Sequence, residues 1–270
     1  MRISISNLAW DVNEDPDILA LLHEYKIDAI DVAPSKYFKS LTTVTTNQLR
    51  IVKNWWSSYG VEIVGMQSLL FGTTGLNVFG TPAIQSALLN HLSAVCRIGS
   101  ELGATRLVFG SPKNRDCSGL SQNETQDISC SFFLKLGDIA ADHGVIICLE
   151  PNPIMYGANF MTSTFETSEI VKSVNHPAIK MQLDTGAIII NNEDICQILQ
   201  DTKELVGHVH ISEAQLVPPG DSYHHHHKLA HALSTYLPEY IGTIEMLAST
   251  SETHVSSVRR ALKHVTTLYR

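Results

Sequence analysis

The feature that most constrains this chain is an alternation. Short β-branched or apolar runs recur eight times, each followed by a longer stretch of helical period. The candidate strands are Arg2 to Ser6, Ile27 to Val32, Val61 to Gln67, Thr105 to Gly110, Val145 to Glu150, Ile179 to Asp184, His208 to Ser212 and Tyr240 to Met246. Parallel neighbours need a long crossover between them, and a helix in each gap supplies it. Helices are expected to begin near Asp15, Thr46, Pro82, Asn123, Thr164, Asn192, His225 and Ser251. Hydroxyls at Thr164 and Ser251 would accept from the free N–H groups of a first turn. Gly60, Gly103 and Gly144 fall between a helix and the next strand, where left-handed backbone costs a glycine little.

Eight such units in 270 residues match the roughly 250 residues of one α/β barrel. The expectation is an α/β fold, a single (β/α)8 TIM barrel forming one domain over residues 1–270. An open doubly wound sheet is the competing architecture. It normally carries a glycine-rich phosphate turn after an early strand, and none follows Arg2 to Ser6. With 44% hydrophobic residues the chain has enough apolar material for a large core, and no Gly/Ser-rich or Pro-rich linker divides it.

Charge limits the partners. The formal net charge is −8 with the acidic residues scattered, so no basic face is offered to nucleic acid or to an anionic membrane surface. No apolar stretch approaches the roughly 18 residues of a membrane span. The opening MRISISNLAW lacks the apolar core of a signal peptide. Five cysteines (Cys96, Cys117, Cys130, Cys148, Cys196) make an odd count without CxxC spacing, and Cys148 lies in a buried-strand pattern. These features point to a reducing, cytoplasmic compartment. The run His224 to His227 reads as a native surface segment ahead of an amphipathic helix.

Reacting groups in such barrels gather at the C-terminal ends of the strands, where eight loops converge. Strand five ends in Cys-Leu-Glu150-Pro-Asn152, six in Gln-Leu-Asp184-Thr-Gly, seven in Val-His210-Ile-Ser-Glu213 and eight in Thr-Ile-Glu245-Met. Any one of these acids alone is more often a helix cap or an ion-pair partner, and a single strand histidine is more often structural. Four on consecutive strands at an apolar rim would be costly unless something neutralised them. One divalent metal ion does so. Three carboxylates and one imidazole suit Mn2+ or Mg2+, with Co2+ or Zn2+ also compatible. His208 and His210 share a face because Val209 points the other way. His210, nearer the strand's C-terminal end, is assigned to the metal and His208 to a supporting role.

Beyond strand four, Gly110-Ser-Pro-Lys113-Asn-Arg115 carries two cations toward the same end of the barrel. They are either solvated loop charges or the holders of an anionic substrate group. Gln67, Asn152 and Glu213 at strand ends are candidates for substrate contacts, and the loop Phe71 to Thr81, with three glycines, is long enough to cover a site.

The motifs LEPN, QLDTG, HVHISE and TIEM, in this order and spacing, resemble the xylose isomerase-like family of sugar isomerases and epimerases. That family includes ketose 3-epimerases, hydroxypyruvate isomerase and inosose-processing enzymes. The resemblance covers nearly the whole chain. It implies that Glu150, Asp184, His210 and Glu245 hold the metal, and that Glu150 and Glu245 are the catalytic pair moving a proton through an enediolate of a small sugar or polyol. Ketose epimerases of that family usually carry a histidine three residues after the aspartate ligand, where this chain has Ala187. They also carry an arginine soon after the strand-seven histidine, where Ser212 to Val217 hold no cation. Other functions stay open: an inosose-type metal-dependent dehydratase, and a non-catalytic barrel acting as a binding or pathway accessory protein. An abasic-site endonuclease shares the barrel, but it resembles a multi-zinc site with many more histidines. Association into a homo-oligomer is also left open.

Overall fold

A computed structural model describes residues 1–222 and 226–270. Eight strands form: β1 (Arg2–Ser6), β2 (Ala29–Val32), β3 (Glu62–Met66), β4 (Arg106–Phe109), β5 (Ile146–Leu149), β6 (Ile179–Asp184), β7 (Val206–Ile211) and β8 (Ile241–Ile244). They pair in parallel in sequence order, and β1 pairs β8 through Arg2 to Ile241 and Ile5 to Ile244, which closes the barrel. The (β/α)8 architecture expected from the alternation is the one observed. Around it lie α1 (Asp15–Glu24), α2 (Pro34–Tyr37), α3 (Thr46–Ser58), α4 (Pro82–Leu102), α5 (Gln122–Asp142), α6 (Thr164–Val174), α7 (Thr185–Ile190), α8 (Ile195–Thr202), α9 (His226–Tyr236) and α10 (His254–Leu268).

The helix α4 shows how sequence makes an element here. Thr81 caps it by accepting from the Ile84 N–H, and Pro82 opens it where its missing N–H costs nothing. Leu88, Leu92, Val95, Cys96, Gly99 and Leu102 recur at helical spacing and are buried. Gly103, at φ 95°, ends the helix with its N–H on the carbonyls of Gly99 and Ser100. The strands are apolar on the face toward these helices, with Leu107 and Phe109 of β4 and Ile147 and Leu149 of β5 all buried. Phe109 meets Phe133 of α5 edge-on, with ring centroids 5.6 Å apart.

Several local expectations shift. Ser163, not Thr164, caps α6, and the Thr164 hydroxyl donates instead to Glu193 Oε2 at 2.6 Å. Thr253, not Ser251, caps α10. The stretch after β6 makes two helices, α7 and α8, where one was expected near Asn192. The histidine run is not simply a surface segment: His226 is buried, 2.7 Å from the Tyr269 hydroxyl and 2.8 Å from Glu213 Oε1. His224, His225 and the helix start expected near His225 lie outside the described residues. The five cysteines are free thiols. Among the described residues no helix is long and apolar enough to cross a membrane.

Candidate metal centre

The C-terminal ends of β5 to β8 bring four side chains to one point. Glu150 directly follows β5, and its N–H continues the sheet ladder to Phe109 O. Asp184 is the last residue of β6 and pairs in register with His210 of β7. Glu245 directly follows β8, with its N–H on Ile211 O. Because each side chain hangs from hydrogen-bonded strand backbone, its position is set by the sheet and not by a mobile loop. One ligand atom from each of Glu150, Asp184, His210 and Glu245 lies within 4.8 Å of all the others.

His210 is the hub. Its Nδ1 lies 3.2 Å from Glu150 Oε1, 3.3 Å from Glu245 Oε2 and 4.0 Å from Asp184 Oδ2. The ring is fully buried, yet neither nitrogen makes an aligned hydrogen bond among the described residues, and Glu150 Oε1 is equally without one. Buried polar atoms of this kind are rare unless water or an ion completes them. Burial, followed by the charges of Glu150 and Glu245, pushes the Asp184 carboxyl up to about 7. Burial opposes charge on His210, but the Glu245 and Glu150 carboxylates outweigh it and raise its pKa well above the ordinary imidazole value. Burial also opposes the Glu245 charge, which His210 and Gln67 hold below the usual range. A site that charges its own residues so unevenly, with acceptor atoms converging on one point, fits a divalent cation bound by mixed oxygen and nitrogen donors.

Neighbouring side chains orient these four. Asp184 Oδ2 accepts from Ser212 Oγ at 2.7 Å, and its Oδ1 accepts from the Ala187 N–H at 2.6 Å, so the carboxylate also starts α7. Gln67 Nε2 donates to Glu245 Oε1 at 2.5 Å. Asn152 Nδ2 reaches Glu150 Oε2 at 3.4 Å. A Cβ on Gly110 would lie 1.9 Å from Glu150 Oε2, so the Glu150 side chain occupies the space that only glycine leaves there.

Below this layer His208 Nε2 lies 2.6 Å from Asp31 Oδ2, with both side chains buried. Asp31, His208 and His210 themselves bring three donor atoms within 4.8 Å of one another. The sequence reading missed Asp31 and Ser212, although a signal existed for each. Asp31 breaks the apolar run of β2 at an alternate position, and Ser212 shares the parity of His208 and His210.

A cavity of about 520 Å3 opens over the cluster, lined by Gln67, Glu150, Asn152, Asp184, Glu213 and Glu245 together with apolar side chains. The two cations after β4 lie apart from this lining. Lys113 is exposed and does not line the cavity. Arg115 is buried behind the wall, its Nη1 donating to the Glu150 carbonyl at 2.7 Å, and burial lowers its pKa to about 10. The chain turns through a 3-10 helix at Pro112–Asn114, which sends the two cations in different directions. Glu213 reaches the cavity edge, but its carboxylate accepts from the N–H groups of Gly220 at 2.5 Å and Ser222 at 2.9 Å. It therefore braces its own loop. Of the long loop Phe71 to Thr81, Phe71 lines the cavity, while Val78 is tied by its N–H to Asn114 O.

The fold has close structural relatives. A D-psicose 3-epimerase from Clostridium cellulolyticum H10, solved with D-tagatose, superposes with a TM-score of 0.82 at 16% identity over 100% of both chains. A 3-keto-D-glucoside 4-epimerase from E. coli gives 0.80 at 17% identity over 99% of both chains. An L-ribulose 3-epimerase gives 0.79 at 15% identity over 99% of this chain and 94% of that one. At such identities the likeness is one of fold. No curated protein matches the sequence. The family model for the xylose isomerase-like TIM barrel matches residues 19–250. With its closed barrel and most of its length matched, the chain belongs to the xylose isomerase-like TIM barrel family.

Proposed function

We propose that the protein is a divalent-metal-dependent isomerase or epimerase of a sugar or polyol derivative, with Glu150 and Glu245 as its proton carriers. The observation that carries this reading is the convergence of four donor atoms within 4.8 Å of one another at the floor of an open cavity. Glu150, Asp184, His210 and Glu245 would hold the cation, Mn2+ or Mg2+ best suiting the three carboxylates. When bound there, a divalent cation supplies Lewis acidity to sugar oxygens as negative charge develops on them.

The residues themselves supply the rest. A proton alpha to a carbonyl is acidic only if the electron pair left behind moves onto the carbonyl oxygen, which makes an enediolate. One glutamate takes that proton, and the other returns one to the opposite face, which inverts the carbon. Gln67 fixes the Glu245 carboxylate through Oε1, leaving Oε2 toward the cluster. Asn152 reaches the Glu150 carboxylate and lines the cavity, where it is placed to meet a substrate hydroxyl.

The roles of ligand and base separate by substitution. An amide oxygen still coordinates, but it does not take up the proton. Glu150→Gln and Glu245→Gln are each expected to retain measurable manganese binding while kcat falls at least about 10²-fold. Exchange of the substrate's alpha proton in D2O, followed by NMR, tells which glutamate abstracts from which epimer. Near-normal turnover in either variant with metal bound would reduce that residue to a ligand and end the two-glutamate mechanism.

A further inference from the structure

The cavity above the metal cluster has a chemical character of its own. Its floor carries the carboxylates of Glu150, Asp184 and Glu245, and no lysine or arginine lines it among the described residues. Residues 223–225, Tyr-His-His, add neither. Neither of the two cations nearest in sequence lines the cavity: Lys113 is exposed, and Arg115 is buried behind the wall, its Nη1 on the Glu150 carbonyl and its Nε and Nη2 without a hydrogen-bond partner among the described residues. With the cation at the floor engaged by the sugar oxygens, a phosphate or carboxylate further along the substrate would lie in an apolar-walled space with no lysine or arginine to meet it, and a charge buried without a partner is strongly disfavoured.

The mouth is apolar where it opens to solvent. Phe71, Tyr156 and Leu247 line the cavity yet are 74%, 41% and 49% exposed. Tyr156 is held in place, its hydroxyl accepting from the Gln215 N–H at 2.8 Å. Pro153 and Leu216 complete the same wall. Large apolar side chains left in water beside a polar reaction centre mark a surface that something covers.

We propose that the substrate is an uncharged sugar or polyol derivative bearing an apolar group, of aryl or alkyl kind, which lies against Phe71, Tyr156 and Leu247 while the polar part reaches the metal cluster. This rests on the isomerase or epimerase reading for its chemistry, but the recognition it describes concerns the wall and is measurable without turnover. The wall is continuous with the cluster's cavity, and its lack of a lysine or arginine among the described residues selects against anions. One ligand with a polar end and an apolar end satisfies both.

The test is calorimetric binding to the full-length protein in manganese, using three probes: a free ketohexose, its terminal phosphate ester and the neutral phenyl ether of the same terminal hydroxyl, which leaves the ketone free. The phenyl derivative is expected to bind at least about tenfold tighter than the free sugar, the gain from burying one ring. The phosphate ester is expected to bind at least about tenfold weaker than the free sugar. Phe71→Ala and Leu247→Ala should shrink the preference for the phenyl derivative, while Phe71→Leu should keep most of it. A phosphate ester that binds as well as the free sugar, or a phenyl group that adds nothing, overturns the proposal. So does light scattering that shows a dimer dissociated by Phe71→Asp, because a second copy of the chain would then be what covers the rim. Failure of the isomerase or epimerase reading looks different: the phenyl preference persists, but no probe exchanges its alpha proton with D2O.

Discussion

A methyl group at Gly110 would overlap Glu150 Oε2 at 1.9 Å, so the place of one carboxylate of the cluster depends on the side chain that this residue, just after β4, lacks. Arg115 holds Glu150 from behind through its carbonyl. Neither Gly110 nor Arg115 is itself among the four residues of the cluster. Gly110→Ala is expected to weaken manganese binding by about 10- to 100-fold, the range seen when residues that orient metal ligands are changed. The fold should stay intact, because Gly110 lies beyond the last paired residue of β4. Titration calorimetry together with circular dichroism checks both parts. Unaltered affinity would mean that Glu150 has a second rotamer equally able to reach the cluster.

At the scale of elements, Glu213 shows how a single buried carboxylate ties a loop to two helices. It follows β7, accepts from Gly220, from the Ser222 N–H and from the Ser222 hydroxyl, and meets His226 of α9, whose other ring nitrogen lies 2.7 Å from Tyr269 after α10. Burial works against its charge, but these partners win and lower its pKa to about 2, from an ordinary 4.5. A depressed carboxylate stabilises the fold above its unfolded value and loses that contribution as pH falls through the folded one. Glu213→Gln should therefore cost about 1–3 kcal/mol near neutrality. That difference should narrow as pH drops from 4.5 toward 2. Urea unfolding at neutral pH and at pH 3 measures the two gaps, and equal gaps would show that the carboxylate's charge contributes nothing. Elements such as β6 were legible to the residue, since an apolar run ending in Asp184 signals both its length and its site. The direction taken by Arg115 and the role of Glu213 were not legible. Each depends on where a loop turns after its strand, and hydrophobic period carries no record of that. The caps of α6 and α10 misplaced by sequence share the same cause: Ser163 and Thr164 are equally good acceptors, and packing chooses between them.

For the molecule as a whole, the cluster's cost and its function are linked. Three acids and a histidine crowd the barrel's end, with Asp184 pushed to about 7 by burial and by its neighbours, so the fold carries a local penalty that a bound cation would relieve. Manganese at about 100 times its Kd should add about 2.7 kcal/mol. In a chain of 270 residues this raises Tm by roughly 5 °C. Differential scanning calorimetry with and without the ion, and with chelator added back, reads the shift directly. Absence of any shift would leave the four residues without a ligand role. Closure of the barrel has a further consequence, set by the order in which a ribosome delivers the chain. Strand β8 pairs with both β7 and β1, and Glu245 immediately follows it. Until β8 emerges, the nascent protein exposes two unpaired strand edges, which are sites for aberrant pairing, and it lacks the last of the four clustered side chains. The four-residue cluster is thus assembled only once β8 has met its neighbours.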